Sequence, residues 1–241
     1  MEKIINKQNL RNFTYVNDGV CTRPIKGIVI DFFGLGNMSM FHLDTDAGEY
    51  YGEHGIIYVA PYTNPWAWMN KQTVTYADEI LGVVIDKLGL DKNIPIVASG
   101  ESMGGQSALT YCVYAKRTPI ACVVNCPVCD TAYHYTERDD LPRTMYSALC
   151  NEQGSLESAL KSISPMHLVD KMPRIEYHIF HCLNDNQVFP SKHSAVFVEK
   201  MQSKGHTVTY DTIEGRGHCD LDYRAKKLYA KYIVEAIEKH K

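Results

Sequence analysis

Short apolar runs rich in β-branched residues alternate with segments of helical periodicity from residue 25 to the end of the chain. The predicted strands are 26–32, 55–60, 94–99, 120–126, 175–181 and 207–213. Between the second and the third, residues 72–89 carry apolar side chains every three or four positions, which predicts a helix that ends at Gly89. Such alternation predicts an α/β protein with a doubly wound, mostly parallel sheet. The first 24 residues are expected to add one or two antiparallel edge strands.

The length and charge narrow the function classes. A chain of 241 residues is long enough for one large α/β domain, and no repeat or linker supports a boundary, so we predict a single domain over residues 1–241. The net charge is −3 without a basic cluster, which disfavours nucleic acid and membrane surfaces as partners. The oligomeric state is left open.

Cysteine usage indicates the compartment. The eight cysteines lie mostly inside apolar segments, and the opening residues "MEKIINKQNLRNF" lack the apolar core of a secretory signal. Both features favour reduced, buried thiols and a cytoplasmic protein. "CPVC" at 126–129 could instead be a redox pair or half a zinc site, although no second CxxC accompanies it.

Residues 130–173 interrupt the alternation. They contain no clear strand and many polar and aromatic side chains, and an insertion of this length is typical of a lid or binding loop. With Trp66 and Trp68, which follow a predicted strand end, Tyr133 and His134 are expected to form the wall of a substrate cleft. The alternative for both tryptophans is that they cover the core.

Residues 100–104, "GESMG", match the G-x-S-x-G pattern between a predicted central strand and a helix. Glycines at the first and last positions permit a tight, strained turn that exposes a serine hydroxyl. The pattern therefore indicates a nucleophile elbow with Ser102 as the nucleophile. A turn that merely lets a helix pack on a strand is the alternative.

A serine nucleophile needs a base and a group that orients the base. His218, between Gly217 and the last helix, is the best candidate among ten histidines because its loop follows the last strand. Asp185, after the strand that ends near His181, is the preferred acid, and Asp130 is its rival. The chain order serine, acid, histidine matches the order known for this kind of site.

An acyl-transfer site also needs donors for the oxyanion, and backbone N–H groups serve this purpose. The N–H group of Met103, at a helix N-terminus, is one expected donor. The other expected donor is that of Leu35, in the turn "FFGLG" after the strand 26–32, with Phe33 and Gly36 as the alternatives.

With "GESMGG", "NDNQV", "GRGH" and "FFGLG", the chain resembles the α/β-hydrolase superfamily, and within it a small bacterial serine esterase. The resemblance covers about residues 25–240. It implies a sheet of about eight strands with a cap inserted after the sixth at 130–173. It also implies hydrolysis through an acyl-enzyme with neither metal nor organic cofactor. The chain departs from the pattern at Phe33-Gly34, where the family often has His-Gly.

These observations favour a hydrolase of small-molecule carboxylic esters, with short acyl groups and sugar or phenolic alcohols as the expected substrates. A peptidase or thioesterase uses the same constellation. The remaining alternatives are a binding protein that retains the fold without catalysis and a cysteine-based redox or zinc protein.

Overall fold

In the computed structural model, which describes residues 4–240, seven strands form one sheet in the order β1-β3-β2-β4-β5-β6-β7. The strands are β1 (Thr14–Val16), β2 (Gly27–Phe32), β3 (Ile56–Pro61), β4 (Ile96–Glu101), β5 (Ala121–Asn125), β6 (Glu176–Cys182) and β7 (Thr207–Ile213). β1 is antiparallel to β3, and the other neighbours are parallel. The antiparallel edge strand predicted for the first 24 residues is therefore confirmed.

The doubly wound, mostly parallel sheet is also confirmed, and each predicted strand lies within two residues of its observed bounds. Within residues 4–240 the sheet has seven strands rather than about eight. As a consequence, the insertion at 130–173 follows the fifth strand in chain order and not the sixth.

Helices cover both faces of the sheet. The main ones are α1 (Asp46–Glu53), α2 (Lys71–Leu88), α3 (Met103–Tyr114), α8 (Ser194–Ser203) and α9 (Tyr223–Glu238). Apolar side chains of α2, α3 and α8 pack on one face, and those of α1 and α9 on the other. The α2 ends follow local rules, because the Asn70 side chain accepts from the N–H group of Thr73 and Gly89 ends the helix with a φ of 63°.

The insertion consists of short helices: α4 (Thr131–His134), α5 (Leu141–Leu149), α6 (Leu156–Ser162) and α7 (Pro165–Leu168). Apolar side chains of α4, α5 and α6 form a separate cluster with Trp68, Met103 and Val188. The insertion therefore packs against the start of α3 and the loop after β6. In residues 4–240, every helix is either too short or too polar to cross a membrane.

The strand register determines what meets at the carboxyl edge of the sheet. Glu101 at the end of β4 pairs with Asn125 at the end of β5, and Asn125 pairs with Phe180 of β6. Because parallel strands end at the same edge, the segments that follow them also lie side by side. Ser102 and Cys126 are the next residues after two of these ends.

Candidate active site

Ser102 occupies the tight turn between β4 and α3, with a φ of 56° and a ψ of −122°. This backbone conformation is strained for a residue with a Cβ atom. A Cβ atom at Gly104 would collide with the carbonyl oxygen of Phe32, and one at Gly100 would collide with the backbone of Gly104. Glycine at both positions therefore allows α3 to begin directly against β2, with Ser102 at the carboxyl edge.

His218 lies between Ser102 and Asp185. Its Nε2 atom is 2.8 Å from Ser102 Oγ, and its Nδ1 atom is 2.6 Å from Asp185 Oδ2. A neutral imidazole carries one proton, and a carboxylate can only accept, so Nδ1 donates to Asp185. Nε2 is then free to accept from the Ser102 hydroxyl.

Asp185 is almost completely buried, with 3% of its surface exposed. Its Oδ1 atom accepts from the N–H groups of Gln187, at 2.8 Å, and Val188, at 3.0 Å. Burial alone would raise the pKa of this carboxyl. Hydrogen bonds from His181, His218 and the two backbone groups outweigh it and hold the pKa well below its usual range. Asp185 is therefore ionised.

The negative charge of Asp185 affects the pKa of His218. Burial lowers the pKa of the imidazole, but the hydrogen bond to Asp185 and its negative charge outweigh burial. Smaller contributions from Cys126 and Glu101 act in the same direction, so the pKa of His218 lies above its ordinary value.

The structure brings the sequence-predicted Ser102, Asp185 and His218 together and keeps Asp130 apart from them. The Asp130 side chain instead accepts from the N–H group of Tyr133, at 3.0 Å, at the start of α4. Sequence reasoning missed His181, whose Nε2 atom lies 3.2 Å from Asp185 Oδ2 and 2.9 Å from the carbonyl oxygen of Val188. The only sequence feature that could have indicated a role for His181 is its place near the end of β6, the strand that precedes Asp185.

Both expected oxyanion donors lie in segments next to Ser102. Met103 is the first residue of α3, where a backbone N–H group has no partner within its helix. Leu35 lies in the turn after β2, and a Cβ atom on the preceding Gly34 would be 3.8 Å from the Cβ atom of Ser102. The hydrogen bond from the N–H group of Gly36 to the carbonyl oxygen of Pro65, at 2.6 Å, fixes this turn.

The structure corrects the expected cleft wall at two positions. Trp68 has no exposed surface, and its indole N–H group donates to Thr144 Oγ1 at 3.1 Å. His134 is 2% exposed, and its Nδ1 atom contacts Glu137. Trp68 packs in the apolar cluster of the insertion, and the His134 ring contacts those of Trp68 and His193, so neither side chain faces a cleft.

The other two predicted wall residues lie nearer the surface. Tyr133 is 37% exposed, with the Lys192 ammonium 6.0 Å from its ring centre. Trp66 is half-buried, with the Arg143 guanidinium 5.7 Å from its ring centre. Their role in substrate binding remains a prediction.

The open space beside the turn lies on the opposite side, towards α1 and α9. A cavity of about 460 Å³ is bordered by Phe33 and Gly34 of the turn after β2, by Glu101 and by Cys219. Its wall is rich in hydroxyl groups and carboxyls, namely Asp31, Asp46, Tyr50, Tyr51, Tyr58, Ser99 and Tyr229, with Lys226 at one side. Sequence reasoning missed this cavity entirely.

Two carboxyls in this cavity have raised pKa values. Asp31 accepts from Ser99 Oγ, at 2.6 Å, and from the Tyr58 hydroxyl, at 2.7 Å, but burial outweighs these bonds. Although Glu101 is open to the cavity, the surrounding protein raises its pKa by desolvation and Asp31 adds to the effect. The wall therefore offers hydroxyl and carboxyl groups of reduced acidity.

His134 and Glu137 of the insertion and His193 before α8 form a metal-like cluster, since their donor atoms lie within 4.8 Å of one another. The hydrogen bonds argue against a metal at this place. His193 Nδ1 accepts from the N–H group of Asp130, at 3.2 Å, so the proton of this imidazole is on Nε2, which donates to Glu137 at 2.8 Å. A protonated nitrogen has no lone pair for a metal ion.

The "CPVC" cysteines do not face each other. Cys126 packs with the side chains of the α1 and α9 face, and Cys129 packs with those of the α2, α3 and α8 face. A redox pair or a shared zinc ion at 126–129 therefore has no support from the structure.

This sheet, with a strained serine between its central strand and a helix, defines a serine hydrolase of the α/β-hydrolase fold. The sequence profile of the prolyl oligopeptidase family, Peptidase_S9, matches residues 66–237. Because the match spans more than half of the chain, this protein belongs to the prolyl oligopeptidase family.

Solved structures share the fold at low identity. The acylaminoacyl peptidase of Pyrococcus horikoshii superposes with a TM-score of 0.67 at 12% identity, covering 90% of this chain and 37% of its own. For the thermophilic esterase Est2 of Thermogutta terrifontis, the TM-score is 0.63 at 20% identity, and the superposition covers 94% of this chain and 85% of the esterase. The S-formylglutathione hydrolase of Agrobacterium tumefaciens superposes with a TM-score of 0.69 at 17% identity. The superposition covers 93% of this chain and 88% of the hydrolase. This chain thus spans about a third of the peptidase and most of the other two. No curated protein matches the sequence significantly.

Proposed function

We propose that this serine hydrolase cleaves carboxylic esters through an acyl-enzyme, with Ser102 as nucleophile, His218 as base and Asp185 as the group that orients the base. One observation carries the proposal. An unbroken chain of hydrogen bonds runs from Ser102 Oγ through both nitrogens of His218 to Asp185, with distances of 2.8 and 2.6 Å.

The geometry supports a two-step reaction. Ser102 Oγ attacks the ester carbonyl while its proton moves to His218 Nε2, and the imidazolium formed is stabilised by the Asp185 charge. His218 then returns the proton to the leaving alcohol, and water repeats the sequence to release the acid. The N–H groups of Met103 and Leu35 are the proposed donors to the oxyanion, where each such donor is worth about 3–4 kcal/mol.

The cavity beside Glu101 supports the proposed substrate class. Its volume of about 460 Å³ suits a small molecule, and its wall of tyrosines and carboxyls suits a flat or hydroxylated group. We therefore propose short-chain esters of sugars or phenols as substrates. Eight free cysteines agree with a reducing compartment, which supports a cytoplasmic location.

Peptide or thioester cleavage is the second candidate. The prolyl oligopeptidase family carries the word peptidase in its name, and one of the similar structures is an acylaminoacyl peptidase. Another is a hydrolase of S-formylglutathione, a thioester. A panel of p-nitrophenyl esters, thioesters and acyl-aminoacyl anilides, compared by kcat/KM, separates these candidates.

Replacement of the nucleophile tests the mechanism. Ser102→Ala should lower the hydrolysis of p-nitrophenyl acetate by at least about 10⁴-fold and abolish labelling by a fluorophosphonate, because triad members act as a unit. His218→Ala should cost about as much, and the double variant no more than either. A preparation free of wild type in which Ser102→Ala keeps a few per cent of the activity would contradict the proposal. Circular dichroism controls for folding.

A further inference from the structure

Cys126 lies beside the loop that carries His218. It follows β5 directly, and its Sγ atom accepts from the N–H groups of Cys182 and Cys219, both at 3.4 Å. Cys219 is the residue after His218. One sulfur atom thus holds the backbone next to the proposed catalytic base.

The thiol of Cys219 is also close. Cys126 Sγ, Cys219 Sγ and a ring nitrogen of His218 lie within 4.8 Å of one another. Cys126 is fixed, because it is fully buried and its own N–H group donates to the carbonyl oxygen of Phe180 at 2.8 Å. Cys219 lies in a loop and is half-buried. Any approach of the two sulfur atoms must therefore come mainly from movement of the Cys219 loop.

The pair has the chemistry of a reactive thiol. The hydrogen bond with the Cys219 thiol, the charge of His181 and the two backbone N–H groups lower the pKa of Cys126 to about 6, although burial opposes them. Cys219 borders the cavity beside Glu101, which gives a small oxidant access to the pair. Cys122 and Cys129 are fully buried as well, but burial raises their pKa values.

We propose that Cys126 and Cys219 form a reversible disulfide when the protein meets a hydroperoxide, and that this disulfide switches the hydrolase off. The effect on activity rests on the proposed function, since it acts through His218. The formation of the disulfide does not.

The reaction balances with hydrogen peroxide as the oxidant. The thiolate of the pair attacks one peroxide oxygen, the O–O bond breaks, and the hydroxide released takes up the thiol proton as water. The second thiol then attacks the sulfenic sulfur, the S–S bond forms, and a second water leaves. Two thiols are oxidised and one peroxide is reduced to two waters.

Bond formation would disturb the active site. A disulfide has an S–S length of about 2.05 Å, so the two sulfur atoms must approach, and the Cys219 loop must follow. His218 moves with its neighbour and loses its 2.8 Å contact with Ser102. A misplacement of about 1 Å in a catalytic group can cost about 100-fold in rate, which is the loss we expect.

The test uses the whole protein. Wild type is treated with hydrogen peroxide, its free thiols are blocked with N-ethylmaleimide, and it is then digested with trypsin. Cleavage after Arg117, Arg138, Arg216 and Arg224 gives peptides 118–138 and 217–224. We expect a cross-linked pair of these peptides that has lost two hydrogens, with fragmentation placing the bond at Cys126 among the three cysteines of the first. A bond from Cys126 to Cys182, or no cross-link, would overturn the proposal.

Activity is measured in parallel on p-nitrophenyl acetate. Oxidised wild type should lose about 100-fold and recover with dithiothreitol, whereas Cys219→Ser should keep its own untreated rate. Cys150→Ser, which removes an exposed thiol, should behave as wild type. Equal inactivation of Cys219→Ser would overturn the switch. If wild type does not hydrolyse esters at all, the proposed function fails, and peptide mapping still decides the disulfide.

Discussion

The two sides of Ser102 are built differently. On the side of the insertion, Trp68, Met103 and Val188 join the apolar side chains of α5 and α6 in one packed cluster. On the side of α1 and α9, tyrosines and carboxyls enclose a cavity of about 460 Å³. Apolar side chains from helices can interlock, but buried hydroxyls and carboxyls need partners and space.

The open volume beside Ser102 therefore lies on the side of α1 and α9. An insertion rich in aromatic residues indicates a binding wall when only its sequence is known, yet here His134 and the neighbouring Trp68 are buried. The space next to the Ser102 turn is instead lined by residues from six separate segments of the chain. Four experiments test this contrast between the two sides of Ser102.

The largest effect is expected for the carboxylates of Asp130 and Asp185, which follow β5 and β6. Asp185→Asn should lower kcat by about 10⁴-fold, because the amide no longer selects the imidazole tautomer that accepts the serine proton. Asp130→Asn, whose carboxylate contacts the N–H group of Tyr133 and lies 3.9 Å from His167 Nδ1, should stay within about twofold of wild type. Steady-state kinetics on p-nitrophenyl acetate measures both. A larger loss for Asp130→Asn than for Asp185→Asn would assign the role of the acid to Asp130.

The next effect is that of pH. His218 acts as a base only when neutral, and its pKa lies above the ordinary 6.5, so kcat/KM should fall as pH drops through that raised value. At two pH units below it, the loss is about 100-fold. Glu101→Gln should lower the apparent pKa, because its negative charge on the cavity side contributes to the shift. Glu157→Gln on the insertion is the control, and an equal shift there would remove the contrast.

Larger side chains on either side of Ser102 should have a smaller effect on kcat/KM. Ala47→Phe on α1 places a ring in the cavity and should lower kcat/KM for phenyl acetate by about tenfold, or 1.4 kcal/mol. Ala148→Phe on α5 enlarges a side chain that packs on the insertion cluster and should change kcat/KM by less than about twofold. If only Ala148→Phe impairs turnover, the substrate binds under the insertion.

The smallest effect on specificity concerns Trp68. We expect kcat/KM to be highest for acetyl to butyryl esters and to fall beyond about C8, since a closed wall cannot bury more methylenes at about 0.8 kcal/mol each. Trp68→Ala should leave this profile unchanged while lowering the free energy of unfolding by about 3–5 kcal/mol in urea titrations. Trp68→Phe, a milder change, serves if the alanine variant does not fold. A profile that shifts to C10 or longer would make Trp68 part of the pocket.

Much of the fold and the main constellation followed from the sequence. The strands were predictable because buried parallel strands read as continuous apolar runs, as in β4 and β5. Ser102, Asp185 and His218 were predictable because each follows a strand, and strand ends meet at one edge of the sheet.

The walls around these residues were not predictable. Trp68 and His134 are amphipathic side chains that suit a cleft as well as a core, and only the packing of α4 and α5 decides between the two. The cavity brings together Asp31, Tyr51 and Tyr229, which have no common motif or spacing. Likewise, the pairing of Cys126 with Cys219 joins residues that are 93 positions apart.

The turn around Ser102 places opposite demands on neighbouring positions. Gly104 takes no part in the chemistry, yet any side chain there would force α3 away from β2. Ser102 holds a left-handed backbone that costs a residue with a Cβ atom about 1–2 kcal/mol, which glycine would avoid. In a library of random variants sorted only for folding, position 104 would therefore tolerate almost nothing, while position 102 would drift from serine towards glycine. On the proposed mechanism, a second sort for turnover would restore the serine.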